Sequence, residues 1–283
     1  MSFITSKFPV FYEDPFLQYR PFPENPTNYF TAHWHEIIGA FVFYYGTQII
    51  SAPLSAHYFG KPYTSLPPKI KVNFDIHVVS MIQCVISIAI LIPMWNHPNW
   101  ANRLEDPITS ITGASDYGSL VSAVTAGYFI WDLLVCFQHF SVFGVGFLFH
   151  AFAALYVFCC CLIPFCQPWI PAFLLFELST PFVNFNWFAS RLPAGTFSDR
   201  SIVINGLCLL FTFFSVRIVW GLYAVKLVAT DMFAAWDETP IVLPITVLSL
   251  NVFLNLLNIY WFYKMVAIAK KKIFGKKKPI KSE

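Results

Sequence analysis

Apolar residues do not alternate with polar ones along this chain; they come in long blocks. Seven blocks, at about 36–54, 76–95, 119–137, 143–163, 168–188, 203–229 and 241–263, approach or exceed the roughly 20 residues a helix needs to cross the hydrocarbon of a bilayer. The pattern predicts an all-α polytopic membrane protein with about seven transmembrane helices. Only a few residues around 138–142 separate the third block from the fourth, and Pro164–Pro168 separates the fourth from the fifth, so these neighbours are antiparallel. Pro181 inside the fifth block predicts a kink that frees a carbonyl near Glu177 and Leu178.

Between the blocks the charges sort by side. The C-terminal end carries Lys264, Lys270, Lys271, Lys272, Lys276, Lys277, Lys278 and Lys281, which assigns it to the cytosol. Counting back through seven spans puts the N-terminus in the lumen. Segments 55–75 (Lys61, Lys69, Lys71) and 189–202 (Arg191, Arg200) then fall inside and are basic. Segments 96–118 (Glu105, Asp106, Asp116, with Arg103) and 230–240 (Asp231, Asp237, Glu238) fall outside and are acidic. The lysine tail suits topology and attraction to anionic lipid better than a retrieval signal, because its last residues lack the dilysine placement.

Composition agrees with this picture. The 283 residues are 57% hydrophobic and 12% charged, against roughly 25% charged in a soluble domain. The longest polar segments are too short for a separate core. The first 35 residues hold Pro9, Pro15, Pro21, Pro23 and Pro26 rather than a basic start and an apolar run, so no cleavable signal peptide is expected. The seven cysteines lie mostly in apolar blocks without zinc-ligand spacing, which makes them packing residues and predicts no metal site. Trp100, Trp131, Trp169, Trp187, Trp220 and Trp236 fall near block ends or faces and suit aromatic belts.

The stretch 127–191 is where function concentrates. It carries Asp132, His150, Glu177 and Asn184 inside apolar runs, and Arg217 lies near the middle of the sixth block. Ionisable groups at bilayer depth face a protein interior or a wet cavity, so these residues predict a polar chamber within the bundle. At 1.5 Å per residue, Asp132 and His150 lie roughly 9–10 Å from the cytosolic edge. Asn184 follows Glu177 by two helical turns and should share its face. The chemistry available is a histidine base, His150, whose tautomer is held by Asp132 or Glu177, with Arg217 and Asn184 binding an anionic or polar substrate group. The bland alternative is a buried ion pair of Asp132 or Glu177 with Arg217 that fixes packing.

Three pieces carry a family resemblance: Gly127-Tyr128-Phe129-Ile130-Trp131-Asp132-Leu133-Leu134, Phe147-Leu148-Phe149-His150, and Phe176-Glu177-Leu178-Ser179-Thr180-Pro181-Phe182-Val183-Asn184 with Trp187 after it. In order and spacing these resemble the TLC-domain family, which includes the ceramide synthases, over about residues 30–265. The chain looks closest to the small TLC-domain proteins. The resemblance implies helices around a narrow lipid cavity, residence in the endoplasmic reticulum, and a role in lipid homeostasis. It divides the chain into a lumenal segment 1–35, a TLC-like transmembrane domain 36–265 and a cytosolic lysine-rich tail 266–283. In ceramide synthases a His-His pair carries acyl transfer; here Phe149 and Ala151 flank His150, leaving one histidine.

Two functions stay open. One is a lipid acyltransferase with His150, Asp132 and Glu177 as catalytic residues and acyl-coenzyme A as co-substrate rather than bound cofactor. The other is a non-enzymatic lipid-binding or cargo-receptor protein. The expected partners are membrane lipids and, in a homodimer, a second copy of the chain; no nucleic acid is expected.

Overall fold

The computed structural model describes residues 7–274, apart from the side chains of 272–274; Lys276, Lys277, Lys278 and Lys281 lie outside the described residues. Within them the chain is helical, with no strand. Six helices are long and apolar enough to cross a membrane: α1 (Tyr29–Phe59), α2 (Pro68–Leu91), α3 (Asp116–Gln138), α4 (Phe140–Leu162), α6 (Asp199–Ala234) and α7 (Val242–Phe274). The remaining apolar block is helical throughout 167–191 but broken, and its last piece is α5 (Thr180–Arg191).

Local chemistry sets the helix ends. Asn28 and Thr31 form a reciprocal capping box at the start of α1: the Asn28 side chain accepts from the Thr31 N–H at 2.9 Å, and the Asn28 N–H donates to Thr31 Oγ1 at 3.2 Å. The cap starts α1 seven residues before the expected position 36 and brings His33 into the helix, one turn before Glu36. Ser115 caps α3 by accepting from the Gly118 N–H at 3.0 Å. The acidic segment expected at 230–240 is also shorter. Asp231 lies buried inside α6, where it accepts from Ser110 Oγ at 2.9 Å.

Helix α3 is the centre of the bundle, packed between α1 and α4. Lipid is as apolar as the side chains, so this packing rests on close van der Waals contact rather than on escape from water. Its small residues let neighbours approach: a Cβ on Gly127 would collide with the Ile37 carbonyl and Ala40 of α1. Two tryptophans expected in aromatic belts are instead fully enclosed. Trp131 donates its indole N–H to Gln48 Oε1 of α1 at 2.9 Å, which removes the reason for an amphipathic ring to seek the interface, and Trp169 packs edge-on against Trp100. Buried Gln167 ties the start of α3 to the end of α4. It donates to Ser119 Oγ at 2.9 Å and the Cys161 carbonyl at 3.2 Å and accepts from the Ser115 N–H at 2.7 Å.

The continuous fifth helix expected at 168–188 is instead a 3-10 turn (Gln167–Trp169), a short helix (Ile170–Leu174), a 3-10 stretch (Leu175–Ser179) and α5. Pro168, Pro171 and Pro181 are the cause. Pro181 has no N–H for the Glu177 carbonyl, which accepts instead from the Thr180 N–H, tightening the turn to 3-10 geometry. Helix α6 is irregular where it meets this stretch, with a π-helical segment over Phe214–Val219.

Candidate functional site: a cavity between the irregular helices

Each irregularity presents one ionisable residue. The 3-10 stretch carries Glu177 and the π-helical stretch carries Arg217; π-bulges recur at functional sites because the extra residue re-aims a side chain. Both line one cavity. Its walls are aromatic and aliphatic, from Phe129 of α3, Phe158 of α4, and Phe173, Leu174 and Phe176 of the broken segment. His150 of α4 and Asn251, Asn255 and Asn258 of α7 complete the polar lining.

Arg217 is buried, with 8% of its surface exposed. Its Nε donates to Ser179 Oγ at 2.9 Å, Nη2 to Thr180 Oγ1 at 3.2 Å and Nη1 to Asn258 Oδ1 at 3.4 Å. The guanidinium also lies over the Phe213 and Phe176 rings, 5.2 and 5.9 Å from their centroids. All of these partners are neutral. Among the described residues Arg217 forms no ion pair, so the buried ion pair with Asp132 or Glu177 allowed by the sequence is not made, although Glu177 is within electrostatic reach.

His150 stands edge-on between Phe129 and Trp261, with ring centroids 6.1 and 5.7 Å away. Neither Asp132 nor Glu177 hydrogen-bonds it, so the carboxylate expected to hold its tautomer is not in contact; the charged group within its reach is Arg217. Asp132 is half-buried on α3 outside the cavity lining, near Cys136 Sγ at 3.8 Å and within electrostatic reach of Glu177.

Asn184 departs from expectation. It is buried, but against α2: it donates to Ser80 Oγ at 3.1 Å, and its Oδ1 meets His77 Nδ1 at 2.8 Å, with Trp187 stacked on His77 at 4.3 Å. The shared face with Glu177 assumed a regular helix; the 3-10 stretch between them turns by about three residues instead of 3.6 and rotates Asn184 away.

Sequence reasoning missed His77 and the stripe Asn251, Asn255 and Asn258. The signal for the stripe was three amides at spacings of four and three inside an apolar run, which places them on one face. Asn251 and Asn255 each return their amide N–H to a carbonyl one turn back, and Asn255 Oδ1 is buried without a partner.

The N-terminal arm, before α1, folds back onto the bundle. The Phe11 N–H reaches the Pro93 carbonyl at 3.4 Å, the Tyr117 N–H donates to the Tyr12 carbonyl at 3.0 Å, and Asp14 meets His33 and Glu36 of α1.

Comparison with known proteins points to one family. A family model described as the TLC domain matches residues 73–267. Topoisomerase I damage affected protein 4 of Saccharomyces cerevisiae is 44% identical over 262 residues, covering 91% of each chain. An uncharacterized TLC domain-containing protein of Schizosaccharomyces pombe is 32% identical over 87% of this chain and 82% of its own. TLC domain-containing protein 4-B of Danio rerio is 30% identical over 87% of this chain and 92% of its own. No solved structure matches. With its apolar helices, its interior cavity and relatives that align along nearly their whole length, the chain belongs to the TLC-domain family of membrane proteins linked to lipid metabolism.

Proposed function

We propose that this protein binds a membrane lipid or free acyl chain in the cavity between α3, α4, the broken segment, α6 and α7, and acts in lipid homeostasis in the endoplasmic reticulum. Arg217 carries this reading: it is a buried cation whose hydrogen-bond partners are all neutral, in the wall of a largely aromatic cavity. A carboxylate or phosphate head would give the guanidinium a direct ion-pair partner while an acyl chain runs along Phe129, Phe158 and Phe173. The test is the lipid that copurifies with full-length protein in mild detergent, identified by native mass spectrometry. One anionic class enriched over the membrane average supports the reading; lipid in membrane proportion sinks it.

A second reading is acyl transfer from acyl-coenzyme A to a lipid hydroxyl or amine, with His150 as general base. It is favoured by His150 and Glu177 lining the same cavity, with no side-chain hydrogen bond to either among the described residues. Loss of a general base costs about 10²–10⁴-fold in rate, so His150→Ala should abolish rescue of a deletion strain's lipidome at unchanged protein level. Full rescue removes this reading and leaves binding.

The expected orientation, with a lumenal N-terminus and cytosolic lysines, belongs to the same proposal. Glycosylation acceptor sites engineered before Tyr29 or at 236–240 should be modified, and sites at 60–67 should not. The reverse pattern inverts the chain.

A further inference from the structure

We propose that Asp14, His33 and Glu36 form a binding site for a divalent transition-metal ion, zinc being the best match, which clamps the N-terminal arm to the start of α1. Among the described residues this is the one place where three such side chains bring ligand atoms within 4.8 Å of one another. All three residues are buried: His33 is fully enclosed, and Asp14 and Glu36 keep 8% exposure each.

The spacing fits a small metal ion. His33 Nδ1 lies 3.2 Å from Asp14 Oδ2 and 2.7 Å from Glu36 Oε2. Donors bound to a tetrahedral zinc at ~2.0–2.1 Å stand about 3.3 Å apart, so a slight opening of the trio admits the ion. Hydrogen bonding is short by comparison. Nδ1 can carry only one hydrogen, and the closer Glu36 oxygen takes it. Asp14 Oδ2 and Glu36 Oε1 are left as buried oxygens with no hydrogen bond, and the latter's nearest basic group is His35 Nε2 at 3.8 Å. Two carboxylates and one imidazole are ligand types that zinc takes, and here their ligand atoms converge in one enclosed place.

Asp14 is also prepared as a ligand. The Phe16 N–H donates to its Oδ1 at 2.7 Å, which orients the carboxylate so that Oδ2 faces His33 Nδ1. The arm reaches the site along a defined path, fixed on one side by Tyr12 at Tyr117 and on the other by Arg20, which donates to the Pro23, Glu24 and Ala32 carbonyls.

The experiment loads full-length protein, purified in detergent with a histidine-free tag, with Zn2+, removes the excess and counts metal per chain by mass spectrometry. Wild type should hold stoichiometric Zn2+ and gain thermal stability on loading. Asp14→Asn and His33→Ala should lose both effects, whereas His57→Ala, at an exposed histidine, should lose neither. Asp14→Asn keeps the result readable if His33→Ala fails to fold, because it alters only the arm. Substoichiometric metal in wild type, or metal retained in both variants, overturns the site and leaves a hydrogen-bonded trio.

Discussion

If the cavity binds an anionic lipid as proposed, Arg217→Gln is expected to lose that lipid while leaving the bundle assembled. A hydrogen bond to a charged group contributes ~1.5–3 kcal/mol, or roughly one to two orders of magnitude in Kd. Glutamine still reaches polar neighbours, so Ser179, Thr180 and Asn258 keep a partner and the links from α6 to the broken segment and to α7 weaken without vanishing. Arg217→Lys should fall between, because it retains the charge but loses the planar fork that holds two oxygens at once. Lipid retained per chain through purification, scaled to folded protein, is the measurement. Unchanged lipid in a well-folded Arg217→Gln variant removes Arg217 from the binding site.

Gly127→Val should cost more in stability than any other single substitution discussed. The new side chain meets the backbone carbonyl of Ile37 and the Cβ of Ala40, and a backbone in mid-helix cannot move aside as a flexible side chain can. Overpacking typically costs about 1–3 kcal/mol, and this collision falls at the upper end or beyond, because α1 must separate from α3 along the contact that includes Tyr44, Tyr128 and Trp131. Lower accumulation and a Tm reduced by several degrees in detergent are expected. Gly39→Val is the matched control: it lies in α1 among the same residues, but its added Cβ meets nothing within 4 Å. Equal melting of the two variants would show that the α1–α3 approach does not limit stability.

Six of the seven apolar blocks and the break near Pro181 in the other were legible in the sequence because each depends on local chemistry: twenty apolar residues span hydrocarbon wherever they occur, and a proline withholds its N–H in any context. The same locality identified His150, Glu177 and Arg217, since an ionisable residue in an apolar run must find polar surroundings, and these three do line one cavity. What they touch was decided in three dimensions. Asn184 turned to His77 because a 3-10 stretch changed the helical repeat by a fraction of a residue per turn, a shift that sequence periodicity does not register. Trp131 left the expected interface for the core because Gln48, 83 residues earlier, supplies its indole with a partner. Asp14 meets His33 only because the arm folds back, and its prolines say where the chain bends without saying toward what. Hydropathy is a sum over neighbours in the chain, whereas a hydrogen bond, a close helix approach or a ligand set depends on which distant residues share a few ångströms, and the tertiary packing alone determines that.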